Sequence, residues 1–146
     1  MRHRPSTRAA IMDTIGKFKS HMLHFIGHGG IEQTDGGNRR PYLQLFVKAS
    51  GTVEPWYRDD IIEDFVVAAD DADSLRLVVL NACRSGRSTA ENRDPWSLSQ
   101  VFNAAGAPAV IGMNSDVADT QAVDFAAGLY TALVERDSDG IGKPIE

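Results

Sequence analysis

Apolar positions along this chain recur at two periods, and they sort the sequence into alternating helices and strands. Ile11, Ile15, Phe18 and Met22 fall at helical spacing behind Ser6 or Thr7, either of which can cap a helix running to about Lys19. Met22–Ile26 then reads as a strand that stops at Gly27-His28-Gly29. Residues 29–41, with Gly29, Gly30, Gly36, Gly37 and Pro41, predict a long polar loop. Residues 42–47 alternate Leu43, Leu45 and Val47 against Tyr42, Gln44 and Phe46, the pattern of a strand near a sheet edge. Ser50-Gly51 turns the chain, and residues 53–57 pair back as a hairpin that Pro55 confines to an edge.

Asp60 and Glu63 form a capping pair for a helix through Ala69, with Ile61, Ile62, Phe65, Val66 and Ala69 as its buried stripe. Residues 75–82 are the most continuous apolar run and predict the centre of the sheet. Residues 84–96 are polar and irregular. A short helix over 97–105, a buried strand over 109–113 and an amphipathic helix over 120–135 follow. The stripe of the last helix is Val123, Ala126, Ala127, Tyr130, Leu133 and Val134. Helices alternating with buried strands predict an α/β fold, a mostly parallel sheet flanked by helices.

Composition narrows the setting. With 146 residues, 42% hydrophobic and 24% charged, the chain has the make-up of one ordinary globular domain. A net charge of −5 argues against a nucleic-acid or anionic-membrane partner. Cys83 is the only cysteine, which excludes an intrachain disulfide and fits a reducing cytoplasm. No apolar run approaches the roughly 20 residues of a membrane span, and no apolar run follows the arginines at the amino terminus as a signal peptide requires.

Two apolar runs end on a reactive side chain followed at once by glycine or a short polar turn: His24-Phe25-Ile26-Gly27-His28-Gly29-Gly30, and residues 78–86, which reach Asn81-Ala82-Cys83-Arg84-Ser85-Gly86. Both reactive groups thus follow a strand's carboxyl end, the edge where open α/β sheets hold ligands. A thiol and an imidazole on one edge are the minimum for a cysteine hydrolase, with Cys83 as nucleophile and His28 as base. The competing reading of Cys83 is a small buried hydrophobe, and of His28 a polar strand end. Gly29 lets the backbone approach a substrate, so its N–H, with that of Cys83, can hold the oxyanion. His24 shares a face with Ile26 and His28 and reads as structural. His24 and His28 do not make a zinc set on a strand, with no Cys or Glu to complete one, so neither a metal nor another cofactor is expected.

His28 precedes Cys83 by slightly more than the ~50 residues between the corresponding pair in caspases. With residues 98–112 and the 119–133 segment carrying Tyr130, these motifs resemble the CHAT family of bacterial caspase-like cysteine peptidases over about residues 22–135. The resemblance implies a caspase-like fold, a Cys83–His28 dyad, a protein or peptide substrate, and a tetratricopeptide-repeat region or partner chain as companion. In relatives that cleave after arginine or lysine, an aspartate near Asn81 neutralises the substrate's cation. Asn81 carries no charge, which leaves Asp116 and Asp119 to supply it; their competing readings are solvation of Asp116 and helix capping by Asp119. The family's sheet opens with a strand and helix upstream of the histidine strand and continues past the final loop. Residues 1–146 therefore read as a single domain, partial at both ends and lacking the first strand, and are expected to be marginally stable or to associate through the open edge. Two other functions stay open: a catalytically incomplete module acting as a protein-binding or regulatory domain, and an acyltransferase or amidase using the same dyad.

Overall fold

The computed structural model describes residues 7–47, 50–68, 73–82, 97–113 and 118–135. The first helix, α1 (Arg8–Phe18), is capped by Thr7, whose side chain accepts the Ala10 N–H at 3.2 Å. It ends at Lys19, in the left-handed region at φ 45°. The strand β1 (Met22–Ile26) falls where the apolar pattern places it.

Residues 29–41 are not a loop. They hold β2 (Gly29–Gln33) and the start of β3 (Arg39–Val47), an antiparallel hairpin. Only the tip is a turn, closed by the Thr34 N–H on the Asn38 carbonyl at 2.8 Å, with Gly37 at φ 74°. Glu32, Gln33, Arg39 and Arg40 hid these strands because β2 is an edge strand with no fully buried residue, so apolar alternation has no core to follow. The strand β4 (Thr52–Tyr57) pairs with β3 from Val47↔Thr52 to Tyr42↔Tyr57 and forms the other edge, as Pro55 requires.

The helix α2 (Arg58–Val67) starts three residues before its expected position. Its opening pairs Tyr57 with Asp60, not Asp60 with Glu63: the Tyr57 N–H donates to Asp60 Oδ2 at 3.4 Å. Ile61 and Phe65 are buried, whereas Val66 is 64% exposed, so the buried stripe is narrower than the pattern suggests. Ala69 lies outside the described residues.

The central strand β5 (Leu77–Asn81) pairs in parallel with β1 and with β6 (Ala109–Gly112), giving the order β1-β5-β6. Val78, Val79 and Leu80 are fully buried, since β5 is covered on both faces. Between β5 and β6 runs α3 (Leu98–Ala104), where Ser97 Oγ accepts the Gln100 N–H at 3.3 Å and Gln100 Oε1 accepts the Ser97 N–H at 2.7 Å. The fold is therefore α/β: a parallel three-stranded sheet flanked by helices, with an antiparallel three-stranded sheet beside it in sequence.

One core joins these elements. Trp56, Phe65 and Phe102 come from β4, α2 and α3, and their rings meet at 5.7–6.4 Å between centroids. Ile11 and Ile15 of α1, Leu43 and Leu45 of β3, and Val78 and Leu80 of β5 pack into the same cluster.

Residues 1–116 and 117–146 form two compact units. The second contains α4 (Asp119–Val134). Its N-cap is Ala118, whose N–H donates to Gln121 Oε1 at 3.4 Å; Asp119 is the first helical residue and not the cap. Val123, Ala126, Ala127, Tyr130, Leu133 and Val134 recur along α4 at helical spacing, the stripe read from the sequence.

Candidate active site

The two motif strands are neighbours. β1 and β5 run parallel in the register Met22↔Leu77 through Ile26↔Asn81, so their carboxyl ends lie at one edge of the sheet. The pairing continues one residue further, where the Gly27 N–H donates to the Asn81 carbonyl at 3.2 Å. His28 is two positions past the end of β1, and Cys83 is two positions past the end of β5 in sequence. Cys83 itself, like Asp116, lies outside the described residues.

His28 sits where the chain leaves one sheet and enters the other. Its preceding residue is tied to β5, while its own carbonyl accepts the Gln44 N–H of β3 at 2.8 Å. Anchoring the backbone on both sides positions the imidazole without immobilising the ring, which is exposed. Glycine suits the position before it, since a Cβ on Gly27 would approach the Phe25 ring to 3.0 Å.

The hairpin register decides where Gly29 points. His28 and Gln44 are hydrogen-bonded across the β2–β3 ladder, so Gly29, paired with Leu43, occupies the alternate kind of site. At such a site the N–H faces away from the partner strand. The amide expected to help hold an oxyanion is therefore not spent in the β2–β3 ladder. At Gly30 the glycine has a packing reason, since a Cβ there would lie 2.6 Å from the Tyr42 ring.

Asn81, expected to line a substrate pocket, is buried at 7% exposure as the last residue of β5, and its carbonyl is the one that ties down Gly27. Asp119 opens α4. His24 is half-buried, and burial pushes its imidazole below the ordinary value of 6.5, which suits a structural residue better than a proton carrier. His21 is exposed.

A groove of about 780 Å³ adjoins His28. β1 contributes Leu23 and Ile26, and the β3–β4 hairpin contributes Gln44, Phe46 and Val53. Nothing in the apolar pattern singled out Phe46 or Val53: each is an outward-facing strand residue, and only the hairpin's return beside His28 gives them a place. The loop expected over 29–41 concealed that return.

Among the described residues no group of three or more His, Cys, Asp and Glu side chains could hold a metal ion. No helix among them is long and apolar enough to cross a membrane.

Comparison with known proteins gives a family. A family model described as CHAT domain matches residues 2–142, nearly the whole chain. No curated protein and no solved structure gives a match.

Proposed function

The chain belongs to the CHAT domain family, of caspase-like peptidase type, and from that premise we propose that it is a cysteine-type endopeptidase acting through Cys83 and His28. One observation carries the reading: β1 and β5 are adjacent and parallel in the register Ile26↔Asn81, and the histidine and the cysteine each follow by two residues.

In this reading His28 takes the Cys83 proton, and the thiolate adds to the scissile carbonyl carbon, forming a C–S bond and an oxyanion. The Gly29 and Cys83 N–H groups face that oxyanion. The intermediate collapses as the C–N bond breaks and the imidazolium gives its proton to the departing nitrogen, releasing an amine. Water then attacks the thioester while His28 accepts its proton; the C–S bond breaks, the acid product leaves, and the imidazolium returns its proton to the thiolate, which restores the starting thiol and imidazole.

Cys83→Ala should abolish peptide hydrolysis, and His28→Ala should lower it by several orders of magnitude, both without loss of the folded circular-dichroism spectrum. A folded Cys83→Ala protein that hydrolyses peptides at the wild-type rate would overturn the assignment. Labelling of Cys83 by an activity-based electrophile in wild type, lost in His28→Ala, separates an active dyad from a catalytically incomplete binding module.

For the acyl side of the bond, a pocket that takes arginine draws its negative charge from Asp116 or Asp119, because Asn81 has none. Asp116→Asn or Asp119→Asn should then weaken cleavage after arginine by roughly 2–3 kcal/mol in transition-state binding, the scale of a charge-assisted hydrogen bond. Equal arginine selectivity in both variants would show that neither aspartate serves.

A further inference from the structure

The groove beside His28 lies against β1, the strand that leads to the histidine. Among the described residues it is lined by Ile11 of α1, by β1, by the Gly27-His28 junction and by the β3–β4 hairpin, and by no residue of β5 or β6. In the cysteine-peptidase reading, on which this inference rests, the two catalytic groups belong to opposite ends of the scissile bond. The nucleophile following β5 bonds to the acyl carbon, whereas the imidazole following β1 must deliver its proton to the leaving nitrogen. A substrate lying across the sheet edge therefore directs its acyl part toward β5 and its leaving amine past β1, into the groove.

The walls state what that amine carries. Ile26 is 71% exposed, Phe46 58% and Val53 55%, three large apolar side chains in one concavity. Phe46 and Val53 face each other directly across the β3–β4 ladder. Among the described lining residues none is Asp, Glu, Lys or Arg; Gln44 and the two imidazoles are their polar members. A charged side chain entering here would lose hydration and meet no counter-ion among the described lining residues, whereas an aliphatic or aromatic one would cover surface that is otherwise wet. The volume falls within the range of about 300–1,000 Å³ typical of ligand pockets.

We infer that this groove is the leaving-group subsite of the peptidase and that it selects an apolar residue immediately after the scissile bond.

Digestion of a mixed peptide library by the full chain, with mass-spectrometric mapping of every cleavage site and the Cys83→Ala protein as blank, reads both sides of the bond. Leu, Ile, Val, Phe or Met should be enriched at the position after the cut. Phe46→Asp should reduce kcat/KM for a peptide with leucine there by about tenfold relative to the same peptide with lysine, the scale on which apolar pockets discriminate. Val53→Asp, at the facing position, should act in the same direction and serves if Phe46→Asp does not fold. Val66→Asp, an exposed apolar site on α2 outside the groove, should leave the ratio as in wild type. Cleavage with no apolar preference after the bond, or an unchanged ratio in both groove variants, would overturn the subsite while leaving the peptidase intact. No cleavage by wild type at any site would remove the peptidase reading itself, and the subsite with it.

Discussion

Asp64 receives three donors from two other elements: Arg8 Nε at 2.9 Å and Nη2 at 3.0 Å from α1, and Trp56 Nε1 at 2.8 Å from β4. Arg8 also pairs with Asp60 at 3.0 Å, and its guanidinium is held above its ordinary value, first through the hydrogen bond to Asp64. Asp64→Ala would leave the buried Trp56 indole N–H and a half-buried guanidinium without this acceptor, and should cost about 2 kcal/mol in chemical denaturation. Asp64→Asn, which keeps a carbonyl oxygen for Trp56, should cost less. His24 gives a pH dependence at the same scale. Burial lowers its native value below 6.5, so the unfolded chain binds the proton more readily than the folded one. Stability is then greatest above pH 6.5 and falls as pH drops from there toward the lowered native value. Melting temperatures from pH 7.5 to 5 should show this decline, and His24→Gln should flatten it; parallel curves for the two proteins would remove His24 from the account.

Among the elements, the β2–β3 hairpin departs furthest from its sequence pattern, and its outer face shows what holds it. Arg40 lies 3.6 Å over the Tyr57 ring and pairs with Glu32 at 2.9 Å, while the Tyr57 hydroxyl donates to Glu32 at 3.1 Å. Glu32 is held below the usual carboxylate range, first by the Arg40 hydrogen bond and then by that of Tyr57. Polar side chains thus stabilise the face of an edge strand that has no core to join. Tyr42 packs its ring over Gly30, so Gly30→Ala must displace the ring and should cost about 1 kcal/mol, the scale of one aromatic contact. In the Tyr42→Ala background the same change should be close to neutral; a double-mutant cycle measures the difference. At α3, Ser97→Ala removes the side-chain acceptor at the helix start and should cost about 1 kcal/mol.

At the scale of the molecule, much large apolar surface remains open to solvent. In the first unit, away from the groove, Phe18, Ile31, Val66 and Val67 are exposed. Exposure on this scale favours association, because contact removes apolar area from water without requiring a directed bond. Sedimentation velocity should therefore show an average sedimentation coefficient that rises with protein concentration and does not fall back at high salt. A single species at the monomer mass across the concentration range would contradict this.

The positions of β1 and β5, the buried centre at Val78, Val79 and Leu80, a cap at Ser6 or Thr7 and the edge role of β4 were all legible in the chain, because each rests on a local rule: a run buried on both faces, a hydroxyl before a helix, a proline without an N–H. The family was legible through the resemblance of the motifs around His28 and Cys83, and the match over residues 2–142 bears that resemblance out. Three things only the tertiary structure decided. The parallel neighbours β1 and β5 are joined by about fifty intervening residues, and no local pattern states the register that sets Ile26 opposite Asn81. The hairpin over 29–47 is held by cross-strand hydrogen bonds and polar pairs, to which an apolar period is blind. The groove beside His28 exists because β3, with β4 paired to it, returns beside β1: Phe46 and Val53 are, in sequence, two outward-facing strand residues, and their meaning comes from a neighbour far away along the chain.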